Sequence, residues 1–395
     1  MDFDFTQEQL LLQDSVRKFL EKNYDFDTRR EIVAARQGFG PMAWQGLASL
    51  GLLGVNVPES HGGFGGGGVE TMIVMEAFGR HLVVEPWVAS AVMGTSCIVT
   101  AGTDDQRNYL LPLMASGEMK LACAFLEPGG RYDLSRVATT ARLEGGFWHI
   151  SGSKAVVVHG AVADLLIVSA RTAGQPGDAE GISLFFVNPG EEGVEGREFP
   201  LYDGTRAVEA SFHDVRVSSD SLIGVQDQGL PLVELVVDRA IAALCAEAVG
   251  CMQALMERTT EYLKTRQQFG VPIGRFQALQ HRMVDMLVHT EQARSMAMLA
   301  ALRVESPDAA QRRKAVSAAK ELIGRAGRFV GQQAVQLHGG MGMTEELDVG
   351  HYVKRLQAID TQFGDADWHL DRFVAAEAAA PLPDFSRPRS KWKKL

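Results

Sequence analysis

Two groups of residues in the last third of the chain have the types and spacing to hold an anion. Arg266 stands at the end of a long helical stretch, where its guanidinium can offer a fixed, planar set of donors to a diphosphate. Phe269 adds a flat apolar face close by. Seventy residues on, Gln336 supplies an amide donor, and Gly339, Gly340 and Gly342 let backbone amides approach an anion closely. A third feature concerns acid–base chemistry. Ala240, Leu244, Glu247 and Cys251 recur at i, i+4, i+7 and i+11, one stripe of a helix. Glu247 is thus a carboxylate on an apolar face. Burial there would raise its pKa toward that of a general base, or the carboxylate would pair with a buried Arg or His.

The elements that must position these residues fall into three blocks. Residues 1–118 read as helical. Thr6 can cap a first helix with Gln9 at its third position, and Trp44, Leu47, Leu50 and Leu53 form a second stripe. The run His61–Gly68, HGGFGGGG, has no following Lys-Ser/Thr and no preceding strand. It reads as a flexible connector rather than a phosphate loop. Residues 119–224 change to short strands separated by Gly-Gly, Pro-Gly and Asp-Gly turns, which predicts a β-barrel or sandwich. Residues 225–380 predict four long helices with short loops, a four-helix bundle. Residues 381–395 carry Pro with Lys and Arg and predict a disordered basic tail. The fold class is therefore α+β multidomain.

Composition narrows the function. Net charge is −10, against any general affinity for nucleic acid. The four cysteines form no CxxC pair and no Cys/His cluster, and His281 and His289 are eight apart, so neither a disulfide framework nor a metal site is expected. The acidic start MDFDF is unlike a signal peptide, and no apolar run reaches a membrane span of about 18 residues. These features predict a soluble, cytoplasmic enzyme.

The segments Thr265–Met286 and Ala334–Glu346, the order of the three blocks and the Glu127-Pro128-Gly129 turn resemble the acyl-CoA dehydrogenase family over nearly the whole chain. The resemblance implies the family's three-domain fold and FAD as cofactor. Arg266, Phe269, Gln336, Gly339 and Gly340 would bind the ADP part of an FAD held mainly by a neighbouring subunit. It also implies an acyl-CoA substrate, a tetrameric assembly and an electron-transfer flavoprotein as electron acceptor.

The flavin-ring half departs from the family pattern. Leu126 precedes the Glu-Pro-Gly turn where the family has Thr, and Val156 and Val158 stand for its Trp and Thr. Valine cannot donate a hydrogen bond to a flavin ring. Gly364 aligns with the usual catalytic Glu, and Ala240 with the alternative base position. Glu247 and Asp365 are the remaining candidates for the base. These departures resemble one chain of an α2β2 heterotetramer of the pimeloyl-CoA or steroid side-chain dehydrogenase type, which would act with a homologous partner on a bulky or dicarboxylic acyl-CoA. A non-catalytic subunit completing the partner's FAD site is the second reading. A monooxygenase or nitroalkane oxidase on the same fold is the third.

Overall fold

The computed structural model describes residues 4–378. The expectation of a disordered tail at 381–395 lies outside them. Six helices come first: α1 (Gln7–Asn23), α2 (Phe26–Ala34), α3 (Pro41–Ser49), α4 (Gly68–His81), α5 (Thr95–Ala101) and α6 (Asp104–Ala115). A π-helical stretch, Val88–Gly94, runs directly into α5. Thr6 begins α1 as read from the sequence: its hydroxyl accepts from the Gln9 amide, and the Gln9 side chain returns a bond to the Thr6 N–H. The glycine run joins a short 3-10 turn to α4, but it is pinned rather than flexible. The Gly65 and Gly66 amides donate to Val57 and Val55 carbonyls at 2.8 Å each. A Cβ at Gly63 would lie 2.1 Å from the Val57 carbonyl oxygen, and one at Gly68 2.2 Å from that of Ala301. Glycine is required here so that the loop can pack.

Eight strands follow: β1 (Leu121–Ala124), β2 (Thr140–Glu144), β3 (Phe147–Val158), β4 (Leu165–Arg171), β5 (Ile182–Val187), β6 (Val194–Pro200), β7 (Arg206–Ser218) and β8 (Leu222–Ile223). They pair in the order β6-β7-β3-β2-β4-β5-β8, with β1 parallel to β4. The halves β6-β7-β3-β2 and β1-β4-β5-β8 join where Thr140 pairs with Arg171. Trp148, Val168, Phe185 and Phe212 from both halves share one core, the sandwich-like arrangement that the turn spacing implied. β3 is longer than the short strands that the turn spacing implied, running for 12 residues. Its register with β7 slips between Lys154 and Val157, a bulge that opposes Ala155 and Val156 to a single partner residue.

The last block contains α7 (Leu230–Thr265), α8 (Gln277–Arg303), α9 (Ala309–His338), α10 (Val349–Thr361) and α11 (Ala366–Ala378). The first four are the expected bundle. Val249, Met286, Val330 and Ile359 from these helices lie in one core. The fifth was not foreseen. Phe363 at φ 59° and Gly364 at φ 119° turn the chain, and the Asp365 carboxylate accepts the Trp368 amide at 2.9 Å to cap α11. Arg372 of α11 and Arg312 of α9 both donate to the fully buried Asp238 of α7, at 2.7 and 3.0 Å.

α4 crosses α7 at glycines. A Cβ on Gly79 would meet the Glu247 carbonyl oxygen at 1.9 Å, and one on Gly250 would meet that of Glu76 at 2.0 Å. Both clashes are with backbone, which cannot turn aside. Gly250→Ala is expected to destabilise the fold by about 2–3 kcal/mol. The measurement is a urea melt, in which the midpoint falls while the slope is kept.

Candidate active site

A cavity of about 450 Å³ lies where the three blocks meet. Its wall includes Glu85 after α4, Leu126 and Glu127 before β2, Val156 and Val158 on β3, Asp203 between β6 and β7, Glu247 on α7 and Arg355 on α10. The three apolar replacements read from the sequence, Leu126, Val156 and Val158, therefore converge on one surface. The turn that follows Leu126 is fixed from behind. Glu127 accepts from the Ala138 and Thr139 amides at 2.6 and 3.0 Å and from Lys154 Nζ at 2.7 Å. Lys154 is fully buried, and burial brings its pKa down to about 8.

Glu247 is on the cavity wall and 1% exposed, as the helical stripe predicted. Both of its oxygens are taken by one guanidinium: Arg355 Nε at 2.5 Å and Nη2 at 2.6 Å. Arg355 Nη1 holds Asp203 at 2.8 Å. Burial pushes the Asp203 carboxyl up, but Arg355 and the Thr205 hydrogen bonds outweigh it and hold the group below its usual value. A bidentate Arg–carboxylate pair is a strong, geometrically fixed contact, and here it ties α7 to α10. Asp365 sits elsewhere. It is not on the cavity wall; it caps α11 and faces Arg131 at 3.7 Å.

Gly364 cannot regain the aligned Glu without rearrangement. A Cβ there would sit 2.6 Å from the Trp368 ring and 2.8 Å from His369 Nε2, at a φ that disfavours any side chain. Buried Lys320 locks the same turn, donating to the carbonyls of Gly364 at 2.6 Å and Asp360 at 2.8 Å. Ala240, the alternative base position, is in the core.

Glu85 and His159 are among the titratable cavity residues that escaped the sequence reading. Glu85 is raised to about 6 by burial, with its oxygens held by the Tyr24 hydroxyl at 2.7 Å and the Gly40 amide at 3.2 Å. It lies outside any periodic segment, so only the Glu-Pro pair could have marked it. His159 follows β3 at φ 59° and lines the cavity. Burial, then Arg355, lowers it from 6.5 to about 4.

The residues expected to hold an anion lie apart from this cavity. Tyr262, one turn before Arg266, stacks on His338 with ring centroids 4.5 Å apart, which brings the ends of α7 and α9 together. Arg266 and Gln336 are exposed, and Phe269 is 90% exposed. Arg266 makes no ion pair among the described residues. A Cβ at Gly339 or Gly340 would meet nothing within 4 Å. An open glycine turn beside an uncompensated arginine fits the diphosphate end of FAD. Gly342 does not belong to it. Gly342 is buried, and a Cβ there would press on Val335 Cα at 3.0 Å, so its role is packing. His338 is likewise structural, with Nδ1 2.8 Å from the Ala334 carbonyl oxygen.

The neutral His159 gives a pH test. Its folded pKa is below the unfolded value, so the stability it contributes is complete above about 6.5 and is lost as pH falls toward about 4. At about pH 5 the loss approaches 2 kcal/mol. His159→Leu is expected to shrink the drop in Tm between about pH 7.5 and about pH 5 in calorimetry.

Comparison with known proteins agrees with this geometry. Residues 6–118, 122–215 and 227–377 match the N-terminal, middle and C-terminal domain models of acyl-CoA dehydrogenase. Acyl-CoA dehydrogenase FadE12 of Mycobacterium tuberculosis is 32% identical, over 78% of this chain and 80% of its own. The mitochondrial long-chain specific acyl-CoA dehydrogenase of Sus scrofa is 29% identical over 94% of this chain and 87% of its own. A solved structure of the Tcur3481–Tcur3483 steroid ACAD superposes with a TM-score of 0.85 at 29% identity, covering 94% of this chain and 98% of its own. The ChsE4–ChsE5 complex from Mycobacterium tuberculosis gives 0.87 at 25%, over 96% of this chain and all of the matched one. The chain belongs to the acyl-CoA dehydrogenase family, FAD-dependent oxidoreductases that act on CH–CH bonds.

Proposed function

We propose that this chain is one subunit of a heterotetrameric acyl-CoA dehydrogenase, lending a cofactor half-site to a homologous partner. The reaction removes an α-proton and a β-hydride from an acyl-CoA thioester and leaves a trans-2-enoyl thioester. FAD, when bound, supplies the two-electron acceptor, and an electron-transfer flavoprotein takes the electrons onward. The substrate is a bulky acyl-CoA, in keeping with the steroid ACAD among the structural neighbours.

The observation that carries this reading is the contrast between the two half-sites. On the outside, Arg266, Phe269, Gln336, Gly339 and Gly340 are presented outward with room for a ligand. On the inside, Leu126, Val156 and Val158 offer packing but no side-chain hydrogen bond, and Gly364 leaves the base position empty. This chain's residues therefore hold and orient the diphosphate end. The partner provides donors around the ring and the group that takes the α-proton. Exposed apolar side chains support an assembly. Val284, Leu287 and Val288 on α8 are 48–56% exposed, and Met343 beside the glycine turn is 76% exposed. No helix among the described residues is long and apolar enough to cross a membrane. We assign the protein to the cytoplasm, where its four free cysteines would stay reduced.

Co-expression with a homologous acyl-CoA dehydrogenase chain from the same organism tests the proposal. The pair is expected to purify as a yellow complex that reduces a flavoprotein acceptor with acyl-CoA, whereas this chain alone is colourless and inactive. A yellow, active homotetramer of this chain alone overturns it.

A further inference from the structure

β1 lies between the core of the sheet and the helices. Its residues alternate: Ala122 and Ala124 face the sheet core, while Leu121, Cys123 and Phe125 face the helical side. Leu121 is pinned there, its amide donating to Ser90 Oγ at 3.2 Å. Gly94 lets the π-helical stretch come in over it. A Cβ on Gly94 would lie 3.0 Å from Leu121 Cβ. One helical turn after Gly94, α5 presents Cys97; two residues after Leu121, β1 presents Cys123 on the same face. The two thiols share a hydrogen bond. A disulfide needs Cβ atoms about 3.5–4.5 Å apart, a spacing that the close approach at Gly94 brings within reach.

This pair differs from the other two cysteines in access. Cys245 and Cys251 are fully buried in α7, and Cys251 donates to the Gly79 carbonyl at 3.3 Å. Cys97 is also 0% exposed, but Cys123 is half-buried and opens on the cavity where the three blocks meet. Arg131 and Tyr202 line the same cavity and are more than half exposed, so small solutes reach it from solvent. The dehydrogenation described above uses neither thiol. Burial, then the neighbouring thiol, pushes Cys123 well above the usual thiol range, which keeps the pair protonated and slow to react at rest.

We propose that Cys97 and Cys123 are a redox pair, closed to a disulfide by a peroxide that enters through the cavity. Hydrogen peroxide oxidises the Cys123 sulfur to a sulfenic acid and releases one water. The Cys97 thiol then attacks that sulfur and displaces its oxygen as a second water. One O–O and two S–H bonds break, one S–S bond forms, and two electrons pass from the thiols to the peroxide. The bridge fastens α5 to β1 along the cavity wall, and so ties the first block to the sheet. A thiol reductant reverses it. The inference rests on the thiols alone and holds whether this cavity or the partner's carries out dehydrogenation.

The test uses the full-length protein in its native assembly. Hydrogen peroxide is added to the folded protein, the surviving thiols are alkylated after unfolding, and the peptides are mapped by mass spectrometry. Peroxide is expected to remove two of this chain's four alkylatable thiols and to yield a peptide pair joining Cys97 to Cys123. Dithiothreitol is expected to restore all four. Two variants separate the roles. In Cys97→Ser, dimedone, which traps sulfenic acids, is expected to label Cys123. In Cys123→Ser it is expected to leave Cys97 unlabelled, because Cys97 is not on the cavity wall. Four thiols surviving peroxide, thiols lost without that linked pair, a bridge to any other cysteine, or dimedone on Cys97 rather than Cys123 overturns the inference. The wild-type map decides by itself if a variant fails to fold.

Discussion

Arg355 holds two carboxylates at once, and the three parts of the chain meet on it. Glu247 comes from α7 and Asp203 from the loop between β6 and β7, while Arg355 itself is on α10. The first block joins through Arg29, which is 2% exposed and donates to the Asp203 carbonyl at 2.7 Å and to that of Leu82 at 3.1 Å. Two carboxylates and two guanidiniums thus balance one another in a buried layer beneath the cavity. Leaving one such charge unpaired typically costs about 3–5 kcal/mol, so each partner requires the others. The same balance takes up both oxygens of the cavity's Glu247. Glu247 is present, buried and well placed, yet it is committed to holding the domains together.

The rest of the cavity shows the same trade of reactivity for rigidity. Lys154 and Glu127 fix the Glu-Pro-Gly turn from the interior of the sheet. Lys320 and His369 close the turn at Gly364; burial lowers them to about 8 and about 2, so His369 is neutral where it packs. Glu85 is the cavity carboxylate with a raised pKa, but each of its oxygens already accepts a hydrogen bond. The scaffold of a dehydrogenase is intact, while the groups that would do chemistry inside it are tied to structural partners. The reverse holds outside, where Arg266 and the glycine turn are built and left unpartnered.

Local signals in the sequence were read with little loss. The Thr6–Gln9 capping box, the first four helices of the bundle and the buried stripe through Glu247 all rest on spacing within one or two turns. Arg266 and the glycine turn were legible as the ends of two long helices because their residue types break the helical pattern. What was missed depends on distant partners. Glu247 and Arg355 are 108 residues apart, and nothing near either names the other. α11 was overlooked because Phe363 and Gly364 interrupt the periodicity and Asp365 restarts it as a cap. β6 runs along an exposed edge with Glu and Arg facing solvent, so it lacks the alternation of a half-buried strand. The glycine run read as slack because only its neighbours show how tightly it packs.

The central claim is that this chain completes a cofactor site without owning one. Counting FAD in the intact assembly by native mass spectrometry addresses it directly. The account predicts one FAD for every two chains, each lost when the partner is removed. One FAD per chain, retained by this chain when it is isolated, would contradict it.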